Sequence, residues 1–215
     1  MALPTGWNTS AVYVQTGVIN GDETESSTID GPATFERASR TQLTTTTNQS
    51  LLLGGISSNT VSVTKGYYQA TAGVITRYGF ATTSTTTVGG VAGPSNAVKQ
   101  VYTPAIVEQM YTLALGKSYT QTEVVVTTTT APTPMPPETI TTTMTVTYVA
   151  DETITVLGKT YDTCKAELRT DGQGVITAWL LAGKGTQVKL QLQSTDGSVT
   201  QLTELKSGTH NGAPL

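Results

Sequence analysis

The chain has little of what most active sites are built from. Its 215 residues include one cysteine, Cys164, and one histidine, His210. A single cysteine excludes an internal disulfide, so the core must hold the fold together. Nucleophilic triads and most zinc sites need a histidine on an ordered element, whereas His210 lies among Gly, Asn and Pro near the C-terminus. We therefore expect no enzyme activity, no catalytic residue, no metal site and no cofactor.

Charge is scarce as well. Asp, Glu, Lys and Arg make up 13% of the chain and the net charge is −3, whereas charged residues supply about 25% of an average domain. The basic residues are scattered singly, which argues against a nucleic-acid partner. Apolar runs are far shorter than the roughly 18 residues that a membrane-spanning helix needs. The sequence therefore predicts no membrane span.

Threonine is what the chain has in abundance, at roughly one residue in five. Thr is β-branched and favours strands over helices. Short strands separated by turns that contain Gly are predicted at 164–170, 175–181, 187–193 and 199–206, and this regular spacing is typical of a meander. The sequence therefore predicts an all-β fold.

The segment 104–115 also fits one short helix. Thr103 could cap it, Pro104 could take the first helical position, and Gly116 could end it. An extended conformation fits the segment almost as well, because an isolated helix of this length is marginal. Both interpretations stay open at this point.

A proline-rich stretch divides the predicted strands. Residues 131–138 read APTPMPPE and cannot pair in a central sheet, because Pro lacks the backbone donor. We interpret them as the tip or loop of a hairpin in a single β-rich domain over 1–206, with an interdomain linker at 131–138 as the alternative. The Gly-rich residues 207–215 are predicted to form a flexible tail.

Two segments of the second half resemble a known family. Residues 152–165 read ETITVLGKTYDTCK, and residues 177–189 read TAWLLAGKGTQVK. The first resembles the strand–turn–strand motif E-T-V-T-V-P-A-G-T-F-D-x-C of uncharacterised bacterial envelope proteins and lipoproteins, and the second resembles their W-[YL]-A-P-G-[VI]-G-L-V-K. The resemblance covers residues 113–205, and it departs at Leu157-Gly158, where the family has Pro-Ala.

The resemblance implies a curved antiparallel sheet or half-barrel in the periplasm, on the cell surface or secreted. It implies no catalytic residue, because the family has no established activity. The first residues show no signal peptide, and we interpret Met1 as an added start before a mature chain whose signal was removed. A lipid anchor on the full-length precursor fits the lipoprotein members, and a cytosolic protein is the alternative.

Aromatic side chains on predicted strands are the candidates for binding. Tyr119, Tyr148 and Trp179 would line the concave face of a curled sheet, where they could hold an apolar or glycan ligand. The competing interpretation places them in the core. Cys164 is expected to fill the core, since a reactive thiol would need a base nearby.

Two pairs of carboxylates are candidates for catalytic groups. Glu23 and Glu25 are expected in a polar loop, and Asp151 and Glu152 are adjacent in a strand, so their side chains point to opposite faces. A glycosidase holds its two carboxylates about 5–10 Å apart on rigid elements. Neither pair therefore predicts catalysis.

The sequence predicts a non-enzymatic cell-envelope protein that binds an apolar or glycan ligand, or an envelope protein, on its curved sheet. The alternative that composition favours is an extracellular structural or adhesin-like module, in which the Thr-rich strands pack as a β-sandwich.

Overall fold

The computed structural model describes residues 8–53, 55–71 and 74–215; the prediction about Met1 lies outside them. Within these ranges one 3-10 turn, η1, occupies Met110–Thr112, and no helix is long and apolar enough to cross a membrane. The all-β prediction is confirmed. The strands are β1 Asn8–Gly17, β2 Gly21–Phe35, β3 Ala38–Leu53, β4 Ile56–Thr71, β5 Val74–Val88, β6 Val91–Ala92, β7 Asn96–Glu108, β8 Ser118–Ala131, β9 Glu138–Val156, β10 Lys159–Thr170, β11 Val175–Leu181, β12 Gln187–Gln193, β13 Val199–His210 and β14 Ala213–Pro214.

The strands form one antiparallel sheet that closes on itself. Chain neighbours pair from β1 to β5 and from β7 to β13, β5 pairs with β7, and β13 pairs back to β1. Twelve strands therefore form a ring, while the two-residue strands β6 and β14 add to β5 and β13. The predicted curved antiparallel sheet is confirmed. It is a closed up-and-down barrel, in place of the two facing sheets of a β-sandwich.

Of the two interpretations of residues 104–115, the extended one holds for residues 104–108 and the helix is wrong. The last three residues of β7 pair with residues 75–77 of β5, so the sheet uses the backbone groups that a helix would bond internally. Ile106 is buried while Val107 is 44% exposed, which is the alternation of a strand. Only the single turn η1 is helical in this segment.

Residues 132–137 connect two neighbouring strands of the barrel. β8 and β9 pair antiparallel, with Thr127 opposite Glu138, and every residue of the connection is exposed. At the other end of the chain, residues 207–210 continue β13 beside β1, and β14 folds back on them. The structure thus has paired strands where the sequence suggests a flexible tail.

Threonine hydroxyls pair across neighbouring strands. Thr60 and Thr64 of β4 each place Oγ1 2.9 Å from a threonine Oγ1 of β5, those of Thr86 and Thr82. A similar pair joins β8 to β9. Such cross-strand pairs contribute about 0.2–1 kcal/mol each. They help to explain how long strands keep their register with so few charges.

The tightest part of the core lies at the seam where β13 meets β1. One buried cluster joins these two strands to β12 and to the β9–β10 hairpin; its members are Ala11, Tyr13, Val156, Tyr161, Val188 and Leu205. Val188 is 0% and Leu205 is 1% exposed. Because burial of apolar surface is the main favourable term in folding, this cluster stabilises the closed ring.

We expect Leu205→Ala to lower the free energy of unfolding by about 2–5 kcal/mol, because it leaves a void in the seam cluster. Leu52 is 67% exposed, so Leu52→Ala is the matched control and should stay within about 0.5 kcal/mol of the wild type. Denaturant unfolding of the three proteins measures both effects. Similar losses in the two variants would contradict the assignment of the seam as the core.

Candidate ligand cavity

A cavity of about 350 Å³ that is partly open to solvent adjoins the seam. Its walls come from β1, β2, β12 and β13, and residues just before β12 add another side. Most of the side chains that line it are polar, and two are carboxylates. This cavity is the candidate ligand-binding site of the barrel.

Strand β1 forms one wall. Thr9, Ala11, Tyr13 and Gln15 all line the cavity, and each is at most 8% exposed. They are two residues apart, and side chains of a strand alternate between its faces. The wall is therefore built by one face of β1, and the residues between these four face the other way.

Strand β2 adds both acidic residues. Glu23 lies opposite Tyr13 and Glu25 opposite Ala11 in the register of the hairpin, and both line the cavity. The expectation of a polar loop here is wrong, because residues 21–35 form a strand. Both faces of that strand are polar, so the sequence shows no apolar alternation. The Asn20-Gly21 turn was the available signal, since it sets the pairing that brings these residues to the wall.

Each carboxylate has a hydrogen-bond donor from a neighbouring side chain. Gln15 Nε2 donates to Glu23 Oε2 at 2.7 Å, and Gln49 Nε2 of β3 donates to Gln15 Oε1 at 2.8 Å. Ser27 Oγ donates to Glu25 Oε1 at a longer 3.4 Å. The amide chain holds Glu23 in place, and Glu25 is held more weakly.

The electrostatic environment disfavours ionisation of both carboxyls. Burial raises the pKa of Glu23 and of Glu25, and the charge of Glu25 raises the pKa of Glu23 further. The groups that lower these pKa values are hydrogen-bond donors, Gln15 and Ser27. Burial, followed by the two carboxylates, also raises the pKa of Tyr13. A carboxylate in this wall thus lacks the stabilisation that an opposite charge would supply.

The turn between β11 and β12 forms the facing side. The N–H groups of Lys184 and Gly185 donate to the Leu181 carbonyl at 3.1 and 2.9 Å. Gly185 has φ +71°, a left-handed conformation that glycine adopts without strain. The turn brings Gly185, Thr186 and Gln187 to the cavity, and the Gln187 carbonyl accepts a hydrogen bond from the Tyr13 hydroxyl at 3.3 Å.

One hydroxyl in the cavity wall has no partner. Thr203 of β13 lines the cavity and is 7% exposed, and in the described part of the chain its Oγ1 makes no hydrogen bond. Thr203 Oγ1 is not among the fully buried side-chain atoms that lack a partner, so it is accessible from the cavity. Thr203 is therefore ready to bond a group placed in the cavity.

The structure places Tyr119 and Tyr148 on the same face of neighbouring strands and Trp179 apart from them. Tyr148 lies opposite Ala166 in β10, and its hydroxyl donates to Asp151 Oδ1. Tyr119 lies opposite Val146, near an ion pair in which Arg77 Nη2 is 2.8 Å from Glu108 Oε2; burial, and next the charge of Glu108, raise the pKa of Tyr119. None of the three lines the cavity.

Trp179 lies on the outer face of the barrel. It sits opposite Lys189, whose neighbour Leu190 lines the cavity. Lys165 Nζ and Lys189 Nζ lie 5.3 and 5.2 Å from the ring centre, and Nε1 donates to Glu152 Oε1 at 2.5 Å. These contacts bury the ring to 8% exposure and explain its position through packing.

The other residues that the sequence analysis considered have contacts that fit a structural role. Cys164 is buried, and burial raises the pKa of its thiol. Asp151 and Glu152 accept hydrogen bonds from partners on opposite faces of the sheet, as expected. His210 ends β13 opposite Thr9, and its Nδ1 is 3.5 Å from Thr186 Oγ1. Across the described ranges, no group of three His, Cys, Asp or Glu side chains could hold a metal ion.

Comparison with known proteins gives a likeness in fold. No family model and no curated protein matches the chain. Among solved structures, the chain is similar to a β-barrel-like protein of a domain of unknown function, DUF1849, from Brucella abortus. The match covers 96% of this chain and 99% of that chain, with a TM-score of 0.54 and 9% sequence identity. At this identity the likeness concerns the fold alone.

We expect the double variant Glu23→Gln/Glu25→Gln to be more stable than the wild type at neutral pH. A carboxyl with a raised folded-state pKa adds stability that is present below its unfolded pKa, near 4.5, and lost as the pH rises through the folded-state value. The variant should melt about 2–4 °C higher near neutral pH, the shift that ~1 kcal/mol produces in a chain of this size.

That advantage should shrink as the pH is lowered toward the unfolded pKa, and thermal melts at several pH values measure it. Glu138 is exposed on β9, so Glu138→Gln is the control and should show no such trend. A double variant that melts below the wild type at neutral pH would contradict the assigned environment.

Proposed function

We propose that this chain is a non-enzymatic binding protein of the bacterial cell envelope, and that its barrel holds a small hydroxyl-rich ligand, such as a glycan fragment, in the cavity. The observation that carries the proposal is a cavity of about 350 Å³, partly open to solvent, into which the Thr203 hydroxyl points without a hydrogen-bond partner among the described residues. Its volume is at the lower end of the range of about 300–1,000 Å³ that is common for ligand sites.

The lining favours a polar ligand over an apolar one. Glu23, Glu25, Gln15 and Thr203 present acceptors and donors to the cavity, while Leu190 is an apolar contact. A sugar combines hydroxyls with an apolar ring face, so it can satisfy both kinds of wall. An apolar ligand would leave the wall's polar groups without water or partners, which is unfavourable.

The envelope location is supported by two features of the sequence. Residues 113–205 resemble a family of envelope proteins and lipoproteins, and the surface achieves solubility with Thr in place of charge. The structural likeness to a bacterial barrel protein agrees with the fold that this family implies.

A glycosidase is the second candidate, because the structure places Glu23 and Glu25 on one face of a strand inside a cavity. Carboxylates two residues apart on a strand are about 7 Å apart at Cα, within reach of either glycosidase geometry. An acid–base pair, however, needs environments that push the two pKa values apart. Here burial raises both, so binding is the better supported function.

We expect a panel of small neutral, acidic and amino-substituted saccharides to include ligands, detectable by ligand-observed NMR and quantified by calorimetry. Thr203→Val should weaken their binding by about tenfold, the effect of one lost hydrogen bond, while its melting temperature stays close to that of the wild type, because no hydrogen bond to a described residue is lost. Binding that is unchanged in Thr203→Val would contradict the cavity as the site, and hydrolysis of a saccharide would contradict the non-enzymatic assignment.

We expect the protein, expressed from its natural gene, to fractionate with the periplasm, membrane-anchored lipoproteins or culture medium. Cell fractionation with a cytosolic marker enzyme measures this. Recovery with the cytosolic marker would contradict the envelope location and leave the cavity argument unaffected.

A further inference from the structure

We propose that the ligand of the cavity carries a positive charge, as an alkylammonium group on a hydroxyl-rich molecule such as an amino sugar, and that Glu23 and Glu25 bind this group. The inference rests on the proposed binding function and names the ligand class for the same site. It depends on the negative charge of the cavity wall, on the direction in which the nearby basic side chains point, and on the Thr203 hydroxyl, which has no partner among the described residues.

The wall carries charge of one sign. Among the described residues that line the cavity, Glu23 and Glu25 are acidic and none is Lys, Arg or His. The two carboxylates are on one strand with a single residue between them, and the charge of Glu25 acts on Glu23. Two like charges held this close inside a protein repel each other, and a cation between them would convert repulsion into attraction.

Two lysines near the cavity, Lys189 and Lys206, are engaged on the outer face, and Lys184 in the facing turn is not among the groups that change the pKa of Glu23 or Glu25. Lys189 Nζ is 4.0 Å from Glu204 Oε1, and Lys206 Nζ is 3.8 Å from Asp22 Oδ2. Glu204 and Lys189 alternate with the cavity residues Thr203 and Leu190, so their side chains point away from it. These cations therefore do not neutralise Glu23 and Glu25.

Two further ionisable groups, on other elements, are basic. Arg77 is paired with Glu108 at 2.8 Å, and it is not among the groups that change the pKa of Glu23 or Glu25. His210 lies beside Thr186 on the turn side. Tyr13 is the remaining titratable side chain of the wall, and its raised pKa keeps it neutral. A positive charge for the carboxylates must then come from the ligand.

The unpaired hydroxyl of Thr203 is the second observation that points to a ligand. Thr203 lies opposite Gln15 in the pairing of β13 with β1, and Gln15 is bonded to Glu23. The unsatisfied hydroxyl and the unneutralised carboxylates thus border the same cavity on adjoining strands. One molecule with an ammonium group and a hydroxyl would satisfy both.

An organic cation fits this wall better than a metal ion. Calcium takes six to eight oxygen ligands, several of them carboxylates, and no group of three possible metal ligands occurs in the described part of the chain. An ammonium group has three donors and no acceptor. Two carboxylates and one neutral oxygen, such as the Gln187 carbonyl in the facing wall, match that number.

The test compares probes that differ in charge at one position. Methyl glucoside is neutral, its 6-amino-6-deoxy analogue carries an alkylammonium that stays charged at neutral pH as a lysine does, and the N-acetylated amine restores neutrality with similar bulk. Calorimetry should show at least about tenfold tighter binding of the amino glucoside than of either neutral probe. Its affinity should fall as the pH drops through the raised pKa values of the carboxyls, and its binding should release protons in that pH range.

Matched variants assign the effect to the pair. Glu23→Gln and Glu25→Gln keep the shape of the side chains and should each remove most of the preference for the amino probe, measured in each variant as the ratio of its affinity to that of the neutral probes. Glu138→Gln on the surface should leave all affinities unchanged. His210→Asn should retain the pH dependence, which separates titration of the carboxyls from titration of the imidazole.

The outcomes separate this inference from the proposed function. Equal, pH-independent affinities for the three probes would overturn the inference and leave a glycan-binding cavity. A preference for the amino probe that persists in both glutamine variants would also overturn it. Failure of every probe to bind the folded wild type would overturn both proposals. A preference that disappears in the glutamine variants, with proton release in the wild type, supports both.

Discussion

Closure of the sheet between β1 and β13 is the constraint on which the rest of the structure depends. The two strands come from opposite ends of the chain, so their pairing must offset the loop entropy of everything between them. The cluster around Leu205 and Val188 supplies apolar burial at that place. An open sheet would expose two strand edges, which are sites of aggregation, and closure removes both.

The same closure creates the cavity. Tyr13 belongs to the seam cluster and also forms part of the cavity wall. The packed core and the cavity are therefore direct neighbours in the interior of the barrel. The interior of a twelve-stranded barrel is wider than the eight-stranded size that side chains just fill. The cavity lies beside the seam cluster, where most of the lining side chains are polar. Glu23 and Glu25 line it because β2 is the strand next to β1.

The sequence predicts the second half of this fold better than the first. The strands expected at 175–181 and 187–193 match β11 and β12 residue for residue, because apolar alternation and Gly turns agree there. Strand β2 could not be predicted in this way, since both of its faces are polar. The choice between helix and strand at 104–115 could not be made from the sequence, because a local pattern cannot show that β5 pairs with this segment. The resemblance to envelope proteins, and binding at Tyr119, Tyr148 and Trp179, stay predictions.

The acidic pair links the stability of the barrel to ligand binding. Two half-buried carboxylates without a counter-charge in the cavity wall destabilise the ionised barrel, and the Thr203 hydroxyl beside them has no partner among the described residues. Both lie next to the seam, so a ligand that satisfied them would bind the closed barrel in preference to the open chain and would stabilise it by mass action. Ligand occupancy and barrel closure are then linked through Tyr13, which faces both the cluster and the cavity. If every polar group of the wall already had a partner in the protein, a ligand would gain little by binding there, and ligand occupancy would not stabilise the closed barrel in this way.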